Sequence, residues 1–134
     1  MFLDRLTRDE QVVFCQLAYA VMAADGEVSE KEAAFYDLAI RELDVEELPE
    51  TSSEEGVVVP EGAFRLSASR HALVLELALL AVADGEVTTG EVAVLDAVAD
   101  QMGLAPLNVQ RSLDYAARLR DVLDEGFVLL AEAD

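Results

Sequence analysis

The feature that most restricts how this chain can fold is a helix stop followed at once by a helix start, written twice. Residues 23–32 read AADGEVSEKE and residues 82–91 read VADGEVTTGE. At an offset of 59 residues, Asp25 matches Asp84, Gly26 Gly85, Glu27 Glu86, Val28 Val87, Ser29 Thr88, Glu32 Glu91 and, further on, Asp37 Asp96. In each copy a glycine just past the last apolar repeat ends one helix. Ser29 or Thr88, with a glutamate three residues on, forms the reciprocal capping box that opens the next helix. So short a connection leaves the two flanking helices antiparallel, so the chain reads as two duplicated helix-turn-helix hairpins.

The apolar spacing fills in the helices. Thr7 and Glu10 make a further capping box, after which Val13, Leu17, Ala20, Val21 and Ala24 recur at helical spacing. Tyr36, Ala39, Ile40 and Leu43 supply the stripe of the second helix, and Val28 with Ala33 and Val87 with Val92 stand where hydrophobic staples belong. A third helix is expected from Ser67 or Ser69. Its stretch HALVLELALLAVA (71–83) is apolar nearly all round, which predicts the most buried, central helix. The helix after Thr88 should stop at Gly103. Pro106 should open a last long helix through Val109, Leu113, Ala116, Ala117 and Leu123, which Gly126 is expected to break before a short C-terminal segment. Residues 45–66 lack helical period and read as a long, exposed acidic connection, with Val57 to Val59 a brief extended piece without a partner strand. The expectation is an all-α fold, one domain over residues 1–134.

Charge narrows the partners. Twenty-eight acidic residues against nine basic ones give a net charge of −19, and Lys31 is the single lysine. Such a field repels phosphate backbones and anionic lipid headgroups, so nucleic acid is not an expected partner, whereas cations or a basic protein are attracted. The alternative reading of the same charge is a general solubility adaptation, for instance to a salty cytoplasm. Cys15 is the only cysteine, which rules out an intrachain disulfide and a thiolate metal cluster and fits a reducing cytoplasm. The longest apolar run, Ala72 to Ala83, is too short to span a bilayer and carries Glu76, and MFLDRLTRDE lacks a signal-peptide core. No membrane insertion or export is expected.

The acidic turns imitate the second half of an EF-hand loop, with a ligand, a glycine, an apolar residue, a hydroxyl and a closing glutamate in register. Counting back, the first two ligand positions fall on Val21 and Ala23, or on Leu80 and Val82, none of which offers a side-chain oxygen. A calcium loop of that kind is therefore rejected. Helix capping accounts for Ser29, Thr88, Glu32 and Glu91. It leaves Glu27 and Glu86 without a task, and it places Asp25 and Asp84 at helix C-termini, where the dipole disfavours them. If the hairpins pack about a pseudo-twofold, Asp25, Glu27, Glu32, Asp84, Glu86 and Glu91 gather into a hard-oxygen site for calcium, magnesium or manganese. If the turns lie at opposite ends, they are connectors or weak single-turn sites.

The segments LAYAVMAADGEVSEKEAAFYDLAIREL and LALLAVADGEVTTGEVAVLDAVADQMGL resemble the two signature segments of the tellurite-resistance TerB-like family. The resemblance covers most of the chain outside residues 45–66, the acidic connection that departs from it. It implies a compact bundle of about seven helices in a cytoplasmic protein tied to tellurite and other stress responses. It also implies that Asp25, Glu27, Glu32, Asp84, Glu86 and Glu91 are metal ligands, and that a stress-response protein, in some cases membrane-associated, is the partner.

Nothing in the sequence assembles a catalytic centre. His71, the only histidine, stands beside Arg70 at a helix start with no assignable nucleophile, and Cys15 aligns with Val74 as a small buried hydrophobe. Phe14, Tyr19, Phe35 and Tyr36 are helix-spaced and read as core or subunit contacts, which leaves a homodimer open. No phosphate-cradling loop, nucleophile elbow or zinc spacing is present, so neither an enzyme nor an organic cofactor is expected. The leading reading is a non-catalytic stress-response domain that binds a divalent cation weakly through its two acidic turns. The alternative is an acidic helical protein-interaction module without a metal site, and a metal-dependent hydrolase comes third.

Overall fold

The computed structural model describes residues 2–132 except 25, 27, 44–57, 61 and 84. Among the described residues the chain is all-helical, with a 3-10 turn at Leu3–Arg5 followed by α1 (Arg8–Ala23), α2 (Glu30–Leu43), α3 (Ser67–Ala81), α4 (Thr89–Gln101) and α5 (Pro106–Ala131). The described residues hold five α-helices and do not confirm the bundle of about seven that the family resemblance implied.

The helix starts follow the sequence logic. Thr7 and Glu10 exchange both capping-box hydrogen bonds at α1, Ser29 and Glu32 do so at α2, and Thr88 and Glu91 at α4. Each box satisfies two backbone N–H groups that the first helical turn would otherwise leave unpaired. Gly26 and Gly85 take left-handed backbone, φ 83° and 95°, in the turns that follow α1 and α3. Val28 and Val87 remain exposed, so the expected staples do not bury them.

Helix α3 is the hub, as its all-round apolarity requires. It packs against α1, α2, α4, α5 and the N-terminal 3-10 turn, and Leu73, Leu77, Ala78, Leu80 and Ala81 are completely buried. The core around it takes Phe14, Leu17, Val21, Leu95, Val98 and Val109 from the neighbouring helices. Glu76, buried within this apolar helix, accepts a hydrogen bond from the Phe2 backbone N–H, and Ser69 donates to the Arg5 carbonyl. Both contacts tie the start of the chain to the hub.

Two expectations need correction. Of the connection expected over residues 45–66, residues 45–57 and 61 lie outside the described residues, and its end is not exposed throughout: Phe64 is buried in the core, and Arg70 donates to the carbonyls of Phe64 (2.8 Å) and Arg65 (2.9 Å). Val59 N–H donates to Gln101 at 2.7 Å. The aromatic ring decides the path here, since burying it outweighs the polar composition around it. The expected extended piece at Val57 to Val59 begins outside the described residues, and Val58 and Val59 join no strand. Second, α5 does not break at Gly126 but runs on to Ala131. A lone glycine costs a helix only about 1 kcal/mol, and good helix formers stand on both sides of it, Leu123 and Glu125 before and Leu129 and Leu130 after.

Candidate functional site

The duplicated turns lie at the same end of the bundle. Helix α4 comes so close to the end of α1 that a Cβ on Gly90 would stand 2.8 Å from the Ala24 carbonyl oxygen. Gly90 is the counterpart of Lys31 in the first copy, and only a residue without a side chain admits this approach. The start of α4 is thereby seated against the end of α1, which brings the two capping glutamates together.

Glu32 and Glu91 are each only 1 % exposed. Each commits one oxygen to its own helix start: Glu32 Oε1 accepts from Ser29 N–H at 3.1 Å, and Glu91 Oε1 from Thr88 N–H at 2.9 Å. The second oxygen of each, Oε2, is buried with no hydrogen-bond donor in reach. Glu10, which caps α1 in the same way, leaves no such stranded oxygen. The difference is tertiary, because Glu91 interacts with Glu32 both as a like charge and through a side-chain hydrogen bond when a proton is present. Burial, and secondarily Glu32, push the Glu91 carboxyl up to about 7, against the opposing pull of its hydrogen bonds with Thr88.

A pair of buried carboxylate oxygens without donors can be neutralised in two ways, by a shared proton or by a cation. Hard oxygen ligands suit calcium, magnesium or manganese. Of the six carboxylates singled out in the sequence, Glu32 and Glu91 meet, and Glu86 lies exposed on the second turn. Asp25, Glu27 and Asp84 fall outside the described residues. Among the described residues no group of three or more His, Cys, Asp or Glu side chains forms a metal cluster. The stranded oxygens of Glu32 and Glu91 are two hard donors of the kind such a cation takes.

Sequence reasoning gave Glu32 and Glu91 a capping task, placed the excess on the other four acids, and counted all six as candidate ligands while leaving open whether the turns meet. The burial of Glu32 against Glu91 was missed. Its signal was Gly90, a glycine inside a helix start where the first copy has Lys31.

The second turn carries a cover as well. The Arg120 guanidinium of α5 lies over Gly85, 3.0 Å from where a Cβ would stand, and reaches Asp124 at 3.6 Å. His71 is exposed near the start of α3, with Nδ1 hydrogen-bonded to the Ser67 carbonyl at 2.8 Å. Cys15 is buried, and burial pushes its thiol up to about 11.

No family model, curated protein or solved structure matches the chain. Among the described residues, no helix is long and apolar enough to cross a membrane.

Proposed function

We propose that this chain is a non-catalytic, TerB-like stress-response domain of the cytoplasm that binds a divalent cation where its two duplicated turns meet. The observation that carries the reading is the pair of buried, donor-free Oε2 atoms on Glu32 and Glu91. A carboxylate pair in this state costs free energy unless positive charge comes between its members. The cation supplies that charge. Glu86 and the sequence neighbours Asp25, Glu27 and Asp84 are the further oxygen donors the turns offer. Because each glutamate also caps a helix, bound cation and helix start are coupled, so binding stiffens both hairpins at once. The protein acts by this change of state rather than by a reaction.

A second reading, an acidic helical interaction module, draws support from the exposed apolar residues along the C-terminal half of α5. Thermal melting separates the two. Chelator-treated protein should melt at a higher temperature as calcium, magnesium or manganese is added, saturably and at near-physiological salt. Ligand at a hundred times Kd corresponds to about 2.7 kcal/mol. A melting temperature indifferent to all three ions removes the cation reading and leaves the interaction module.

A further inference from the structure

Between the first halves of α3 and α5 runs a groove of about 540 Å³ whose walls carry charge opposite to that of the molecule. Residues 67–75 and 106–118 contain a single acid, Asp114, in a chain of net charge −19. Arg111 and Arg118 line the groove from α5, and His71, held through Nδ1 by the Ser67 carbonyl at 2.8 Å, lines it from α3. Among the described residues Arg111 has no carboxylate partner, and Arg118 commits only Nε, to the Asp114 carbonyl at 3.4 Å. The Asp114 carboxylate itself accepts from Gln110 at 3.1 Å. Ser112 lies between the two arginines and is only 8 % exposed, yet its hydroxyl has no hydrogen-bond partner and opens into the groove. A hydroxyl buried to this degree is costly unless something bonds to it. Asn108, the third residue of α5, adds an uncommitted amide on the same wall. Neither α3 nor α5 has a side-chain cap or an acid in its first turn, so the positive ends of both helix dipoles are left unneutralised near the groove.

We infer that this groove binds a small phosphate monoester. Two guanidinium groups, an amide and the Ser112 hydroxyl are all donors to an oxyanion, and arginine forks match phosphate and carboxylate alike. The number of donors selects between them. A carboxylate offers two oxygens in one plane, whereas a phosphoryl group presents about three acceptor oxygens and close to two negative charges, which suits donors standing on several turns of α5. Leu75 and the Tyr115 ring, itself packed 6.3 Å from the Phe2 ring, supply apolar surface beside these donors. The groove therefore has room for a small organic body behind the phosphate, within the roughly 300–1,000 Å³ of small-molecule sites. The net charge does not oppose such a ligand. Exposed acids more than about 8 Å away are largely screened at physiological salt, so a small dianion meets the local field of the arginines. A nucleic acid or an acidic protein extends over the surrounding acids and is repelled. The groove shares no residue with the paired glutamates, and its ligand is independent of any cation bound there.

The test is an NMR titration of metal-stripped protein, dialysed clear of chelator, with phenyl phosphate, inorganic phosphate and benzoate as probes at near-physiological salt. Phenyl phosphate should shift the backbone resonances of Asn108, Arg111, Ser112 and His71 saturably, inorganic phosphate should bind more weakly, and benzoate more weakly still. The variant R111Q/R118Q should melt as wild type does, because both side chains are exposed, and should bind phenyl phosphate at least about tenfold more weakly. Ser112→Ala should lose affinity without losing stability, since the hydroxyl bonds to nothing within the chain. Shifts that never saturate, or that persist unchanged in the double variant, overturn the inference. Benzoate binding as tightly as phenyl phosphate overturns the phosphoryl assignment, and inorganic phosphate binding as tightly overturns the monoester.

Discussion

Glu32 and Glu91, each the third residue of its helix, bring their carboxyl groups together inside the protein, and each leaves one oxygen there without a donor. The local motif that starts each helix thus becomes, through packing, one shared electrostatic element. Glutamine can take the place of either glutamate in a capping box, and its amide can donate to the remaining carboxylate. Glu91→Gln should therefore raise the stability of metal-free protein at neutral pH by about 1–3 kcal/mol and abolish its response to cations. Chemical denaturation with and without calcium reads both effects.

The pair also sets a pH dependence. The Glu91 carboxyl lies at about 7 in the folded protein against an ordinary 4.5. Its folded form holds the proton more tightly than its unfolded form, so the associated stability is fully present below about 4.5 and is lost as pH rises through 7. Metal-free wild-type protein should accordingly lose stability across this window, and Glu91→Gln should lose less. Equal slopes for the two proteins between pH 4.5 and 7.5 would contradict the assignment.

Two helical glycines should respond in opposite directions to the same change. A methyl group on Gly90 runs into the Ala24 carbonyl, so Gly90→Ala should destabilise by about 1–3 kcal/mol despite the better helix former. A methyl group on Gly126 meets open space, so Gly126→Ala should stabilise by about 0.5–1 kcal/mol. Thermal melts of the two variants check this directly.

Cys15 is buried, with its thiol pushed up to about 11. A thiol-specific reagent at neutral pH should label it only as fast as the protein opens, because the thiolate is the reactive form and is scarce in the folded state. Labelling at the rate of a free thiol in native protein would contradict the packing of α1.

Much of this architecture is legible in the sequence because local rules specify it. The three capping boxes at Thr7, Ser29 and Thr88 open helices where their spacing requires, and the run 71–83 lies within and just beyond the hub helix because an all-round apolar helix has nowhere else to go. Val21 and Leu80 are helical core residues, which closes the EF-hand reading on structural grounds as well. What stayed hidden depends on contacts distant in sequence. The burial of Phe64 is decided by a pocket made by other segments, and the continuation of α5 past Gly126 by the balance of a small glycine penalty against its flanks. That the two turns meet rests on the close approach of Gly90 to Ala24, which no periodicity encodes. The same holds for Glu32 and Glu91: a capping task and a place among six candidate ligands were legible for both, and only the packing shows that these two are buried together.

The central claim is that the Glu32–Glu91 pair takes a cation, and calorimetric titration of calcium into chelator-treated wild-type and Glu91→Gln protein, side by side at near-physiological salt, tests it most directly. A saturable heat in wild type that is lost in the variant is the predicted result. A wild-type heat no different from that of the variant, or one that vanishes with added salt alone, would mean that the pair is neutralised by a shared proton and that the turns serve the fold.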